Sequence, residues 1–168
     1  ASDIVSDLDS ALSGAYTQLR ELLTTFRLSI KEGNFGTALK EMLLQLQDQT
    51  PANISLVNDL SSVEIDAHEQ VHLLQLIREA TINAIKHANA TTIKVSCTEK
   101  NNTMIIKVID DGVGIDNQES KLNHYGLSIM HERASRLNGQ LTINTASQKG
   151  CEIELTYPRT KDDDFDTM

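Results

Sequence analysis

Apolar residues recur at spacings of three and four from residue 3 to residue 30. Ile4, Leu8, Ala11, Ala15, Leu19, Leu22 and Phe26 make one seam, a period that predicts a single long helix. One helix cannot bury such a seam by itself, so the pattern calls for partner helices. Two glycines and an asparagine in KEGNFG, residues 31–36, predict a C-cap and a turn. Helical spacing resumes over 35–48, with Phe35, Leu39, Met42, Leu43 and Leu46 on one face, and stops at Thr50-Pro51. The alternating, β-branched run ISLVNDL, 54–60, predicts a strand.

A second long helix is predicted from Asp66, a residue suited to an N-cap, to Asn89. Leu73, Leu74, Leu76, Ile77, Ala80, Thr81, Ala84 and Ile85 cover most of its circumference. At about 100° per residue, His72, Gln75, Glu79, Asn83 and Lys86 align in a stripe about 80° wide, with His87 at its edge. A largely buried helix that aligns a carboxylate, an amide and an ammonium implies a cleft along that line.

Beyond it, TTIKVSCTEK and TMIIKVID are strands joined by Asn101-Asn102, a hairpin signal. DGVGIDNQESKLNHYG is polar and irregular, and LSIMHERASRLNG, 127–139, is an amphipathic helix closed by Gly139. QLTINTASQKGCEIELTYP predicts a second hairpin turning near residues 148–150, and RTKDDDFDTM reads as an acidic, disordered tail. From 34 to 158 the order is α-β-α-β-β-loop-α-β-β. The fold class is therefore α/β, a two-layer sandwich of a mixed, mostly antiparallel sheet with helices on one face. Two tight hairpins fit a doubly wound sheet poorly, and neither G-x-x-x-x-G-K-[ST] nor G-x-G-x-x-G occurs.

Composition narrows the partners. The chain has 168 residues and a net charge of −9, a balance that argues against nucleic acid. Cys97 and Cys151 sit in strand-like runs, where they read as reduced core residues, and no C-x-x-C pair suggests zinc. No apolar run approaches the roughly 20 residues that span a bilayer, and no signal peptide opens the chain. The expectation is a cytoplasmic piece without membrane contact of its own.

Loop 110–126 supplies what the stripe lacks. In DDGVG a carboxylate, assigned to Asp111, follows an apolar strand, and two glycines let a ligand approach the backbone. Oxygen ligands in such a cleft suit Mg²⁺ with phosphate oxygens, and Lys86 and His87 would face those phosphates. The chemistry that follows is phosphoryl transfer.

REATINAIKHA resembles the N box of the ATPase superfamily that joins histidine kinases with the gyrase, heat-shock-chaperone and mismatch-repair ATPases. DDGVG resembles its adenine-binding glycine box, and YGLSIMHERASRLNG its second glycine box and following helix. The form GLxxMxxRA, the N box ending in KHA, LRELLTTFRL and NHYGL are similar to the nitrate/nitrite sensors among two-component histidine kinases. The resemblance implies that residues 1–30 are the second helix of a truncated dimerisation and histidine-phosphotransfer hairpin. It makes 34–158 the ATP-binding catalytic domain and leaves 159–168 as the tail. By the same resemblance Asn83 ligates Mg²⁺, and Glu79 stands beside it on metal-bound water or as an acid/base partner. Lys86 and His87 contact phosphate, Asp111 accepts from the adenine amino group, and Gly112, Gly114 and Ile115 close on the base and ribose. Residues 115–125 form the ATP lid, and Gly126 and Leu127 start a helix whose N-terminus faces phosphate.

Two positions depart from the pattern: His124 where many relatives have glycine, and Cys151 after the late glycine where many have threonine at the adenine. His68-Glu69 and His131-Glu132 match a phospho-acceptor dipeptide but lie outside the first helix. The implied acceptor therefore belongs to a hairpin helix preceding residue 1. The implied partners are ATP, that hairpin in a homodimeric parent, and a response regulator. The parent would be an inner-membrane bacterial sensor. Two other readings stand beside this one: an ATP-hydrolysing conformational clamp, and a nucleotide-binding module without turnover.

Overall fold

The computed structural model describes residues 2–32, 34–114, 120–145 and 149–159, with side chains described for 3–24, 34–114, 126–145 and 149–159. Expectations for Ile115, residues 116–119, the side chain of His124, Gln148 and residues 160–168 lie outside the described residues.

The chain forms α1 (Ser2–Glu32), α2 (Phe35–Gln47), β1 (Asn53–Asn58), α3 (Ala67–His87), β2 (Thr92–Lys100), β3 (Thr103–Asp110), α4 (Ser120–Arg136), β4 (Gln140–Thr145) and β5 (Cys151–Pro158). Local chemistry sets several of these limits. The Asn34 side chain caps α2 by accepting from the Gly36 and Thr37 N–H groups. Asp66 caps α3 by accepting from Glu69 N–H at 2.8 Å. Asn101 and Asn102 both hold the left-handed backbone (φ 52° and 61°) that a two-residue hairpin turn demands.

The sheet order is β1-β2-β3-β5-β4. β1 runs parallel to β2, and the other pairs are antiparallel. Alternation sends Ile93, Val95 and Cys97, then Met104, Ile106 and Val108, then Ile153, Leu155 and Tyr157 to the helix-covered face. Leu39, Met42 and Leu46 of α2, Leu73, Leu74, Leu76 and Ile77 of α3, and Met130 of α4 fill the space against them. On the opposite face Lys107 pairs across the sheet with Glu154 at 2.8 Å and Glu152 at 3.8 Å.

Two differences from the sequence reading bear on the site and on the limit of the domain. α4 begins at Ser120, not at Gly126 or Leu127, so residues 120–125 of the expected lid are helical. No glycine or proline interrupts 120–125, and Gly126 stays inside the helix because packing, not chain direction, requires it there. Arg159, assigned to the tail, belongs to the fold. Its guanidinium pairs with Glu69 at 3.5 Å and Glu99 at 3.8 Å, and its N–H donates to the Asn102 carbonyl at 2.9 Å.

Candidate functional site

The polar stripe of α3 faces α4 over part of its length and a cleft over the rest. His72 and Gln75 are buried, and Arg133 of α4 lies against His72, its Nη1 3.4 Å from Nδ1. One and two turns further along α3, Glu79 and Asn83 meet Gly126. A side chain there would place its first carbon 2.5 Å from Glu79 Oε1 and 3.2 Å from Asn83 Nδ2. Glycine at 126 is therefore the space that Glu79 and Asn83 occupy. The α4 terminus does not sit at that point.

A small pocket, open to solvent, separates α3 from the end of the sheet. Ala80, Asn83, Ala84, His87 and Ala88 form its helix wall, and Asp110, Cys151 and Ile153 its sheet wall, with Gly114 and Leu127 completing it. Of the predicted residues, Asn83, His87, Gly114, Leu127 and Cys151 line this space together. Glu79 lies one turn before Asn83 on α3 and against Gly126, while Lys86 is exposed.

Asp111 does not line it. Its carboxylate is exposed and turned away, accepting from the Thr91 hydroxyl at 2.5 Å and from the Thr91 and Thr92 N–H groups at 2.8 and 2.9 Å. Those bonds, the Thr91 hydroxyl first, hold it below the usual carboxylate range. The carboxylate in the cavity is Asp110, and the sequence carried its signal. Met104, Ile106 and Val108 point inward at every second position, so period two puts Asp110 on that face and Asp111 on the other. The D-x-G-x-G spacing also begins at 110.

Packing requires glycine at 112, since a side chain there would meet the Ala88 carbonyl oxygen at 2.1 Å. The N–H of Val113 donates to that same carbonyl at 2.8 Å, locking the loop onto the end of α3. Gly114, with φ 78°, holds a left-handed turn at the cavity.

The electrostatics separate the two walls. Burial raises the Asp110 carboxyl, against the opposing effect of the Gly112 N–H bonded to it at 2.9 Å. Burial, then the Glu21 carboxylate of α1, raises Glu79, while Lys86 and Arg78 pull it down. The Cys151 thiol is pushed up to about 11 by burial and by Asp110, so it stays protonated. A carboxylate raised by burial suits a hydrogen-bond donor at Asp110 and a cation at Glu79. The amide oxygen of Asn83 and the carboxylate of Glu79 give the second position the hard oxygen donors that Mg²⁺ prefers.

Residues 68–161 match the family described as histidine kinase-, DNA gyrase B-, and HSP90-like ATPase. The chain is 45% identical over its full length to the nitrate/nitrite sensor protein NarQ of Escherichia coli. It is 32% identical over 92% of its length to the nitrate/nitrite sensor protein NarX of the same organism. It spans about 30% of the first relative and 26% of the second. Among solved structures, the blue-light activated histidine kinase of Erythrobacter litoralis EL346 superposes with a TM-score of 0.73 at 16% identity, covering 86% of this chain and 49% of that one.

Proposed function

Because the chain belongs to the histidine kinase-, DNA gyrase B-, and HSP90-like ATPase family, we propose that its cleft binds Mg²⁺-ATP for transfer of the γ-phosphate to a histidine on a separate hairpin helix, in a nitrate/nitrite-type sensor kinase. Residues 1–30 supply the second hairpin helix and 34–159 the catalytic domain. The parent passes the phosphate on to a response regulator and works on the cytoplasmic side of an inner membrane. Among the described residues no helix is long and apolar enough to cross a membrane.

One observation carries this reading: the cavity sets the buried carboxylate of Asp110 on the sheet wall opposite Asn83 on the helix wall. Asp110, and not Asp111, accepts from the adenine amino group. The backbone N–H groups of Gly112 and Cys151 both bond to that carboxylate and fix its orientation toward the base. Cys151 beside it is a weak donor, so base recognition rests mainly on Asp110. Ala80, Ala84 and Leu127 supply apolar surface for the ring, and His87 lies where the helix wall ends. Asn83 and Glu79 hold the Mg²⁺, which when bound neutralises charge on the transferred phosphoryl group. Gly126 keeps both side chains in place by leaving them room.

The test is Asn83→Ala, followed by thermal melts and by phosphotransfer to a supplied acceptor hairpin. The expected outcome is loss of the Mg²⁺-dependent part of ATP-induced stabilisation and loss of phosphotransfer, with apo melting nearly unchanged. A lowered apo melting temperature with intact Mg²⁺ dependence would mean that Asn83 is structural. Hydrolysis without transfer to the hairpin would favour the conformational-clamp reading.

A further inference from the structure

The geometry points to a second cation site, of different chemistry and remote from the cleft: His68 and His72, on the first two turns of α3, chelate a divalent transition-metal ion through their Nε2 atoms. Residues four apart share one helix face, and here the two Nε2 atoms are 3.1 Å apart. The rings meet edge to face, with centroids 4.4 Å apart and planes at 77°. Imidazole–metal bonds of about 2.0–2.1 Å across that gap subtend roughly 100°, between the octahedral and tetrahedral angles. His68 is exposed and gives the ion a path of entry, whereas His72 is buried. Burial, then His68, Arg133 and Arg136, lower the His72 pKa to about 4, with Glu132 opposing. That ring is therefore neutral at neutral pH, with a single N–H on one of its two nitrogens.

The donor set selects the ion. Glu69 is committed to the Tyr157 hydroxyl at 2.5 Å and to Arg159 at 3.5 Å. Among the described residues no three or more His, Cys, Asp or Glu side chains converge. Water completes the coordination sphere, and two imidazoles favour Zn²⁺, Ni²⁺ or Cu²⁺ over Mg²⁺. Asn83 lies about 16 Å further along the helix, so the two cations do not compete.

Arg133 opposes the ion. Its Nη1 faces His72 Nδ1 at 3.4 Å, whereas a metal-bound histidine donates its second N–H to an acceptor. Metal binding requires the Nδ1–H tautomer and displacement of this guanidinium, which makes Arg133 the residue that limits affinity.

The experiment is a Zn²⁺ titration of the intact chain by calorimetry, with the histidine ring protons followed by NMR and the melting temperature recorded. Zn²⁺ is expected to perturb the His68 and His72 rings and to raise the melting temperature, and excess Mg²⁺ is expected to leave both effects in place. His68→Ala should weaken binding by at least about tenfold. Arg133→Gln, whose carbonyl oxygen can accept from Nδ1–H, should tighten it by about tenfold. Unchanged Zn²⁺ affinity in His68→Ala, or absence of binding to the wild-type chain, would overturn the assignment. The titration needs no nucleotide, so it stands or falls independently of ATP binding.

Discussion

Asp110 ends β3 with its side chain on the helix-covered face, where burial holds its carboxyl above the usual carboxylate range. A carboxyl raised in the fold destabilises it once ionised, because the unfolded chain gives up its proton at lower pH. Asp110→Asn keeps an oxygen for the Gly112 N–H and removes the buried charge. We therefore expect its apo melting temperature at neutral pH to stay level or rise. ATP affinity should fall by about ten- to a hundredfold, the loss of one charge-assisted hydrogen bond of about 1.5–3 kcal/mol, as read by calorimetry. Asp111 has the opposite sign. Hydrogen bonds from Thr91 and Thr92 depress its pKa, so its stabilisation is complete above the unfolded value of about 3.9 and is lost as pH falls below it. Acid melts of Asp111→Ala should show a weaker loss of stability below about pH 4 than the wild type. An identical acid limb in both proteins would show that the Thr91–Asp111 clasp contributes nothing.

At the scale of elements, the decisive contact is α3 against α4. Antiparallel packing brings Gly126 to Glu79 and Asn83, and Arg133 to His72. Gly126→Ala pits two effects against each other. Alanine adds up to about 1 kcal/mol of helix propensity, while its methyl group would lie 2.5 Å from Glu79 Oε1. The obstructing atom ends a flexible side chain, so Glu79 moves and the fold survives. The expected result is an apo melting temperature within a few degrees of wild type, together with reduced Mg²⁺-ATP affinity. Intact affinity would show that the position of Glu79 is immaterial to binding. At the other end of the sheet, Gln47 covers the start of edge strand β1, donating to Ala52 O at 2.7 Å and accepting from Ile54 N–H at 2.8 Å. That pairing blunts a place where another strand could add.

For the molecule as a whole, α1 carries a surface out of balance with the rest. Ile4, Val5, Leu8, Leu12, Tyr16, Leu19 and Leu23 are each 57–69% exposed. The residues of α1 that are partly covered include Gly14, Gln18, Glu21 and Leu22, and Glu21 reaches Arg78 of α3 at 3.8 Å. α1 thus meets the domain through a largely polar strip and leaves these seven apolar side chains exposed. Such an exposed apolar surface drives association. Light scattering should show a mass that rises with concentration, and Leu12→Lys with Leu19→Lys should abolish the rise while ATP affinity is unchanged. A monomer mass at all concentrations would show that the exposed apolar residues of α1 do not drive association.

Periodicity along the chain was enough for the helices, the two hairpins, the one-sided sheet and the stripe of α3, because each depends on neighbours within a few residues. Asp66 and the Asn101-Asn102 pair act on adjacent backbone, so their roles are also legible without coordinates. Asp110 was legible in principle through the alternation of β3. The two adjacent carboxylates look alike as a motif and are told apart by that alternation. Tertiary structure alone decided the rest. Gly112 is shaped by Ala88, 24 positions away in sequence, and Gly126 by Glu79 and Asn83 on another helix. Arg159 joins the fold only because β5 ends beside Glu69 and Glu99. A one-dimensional pattern records which face a residue takes on its own element, and these three positions are set by what lies across from that face.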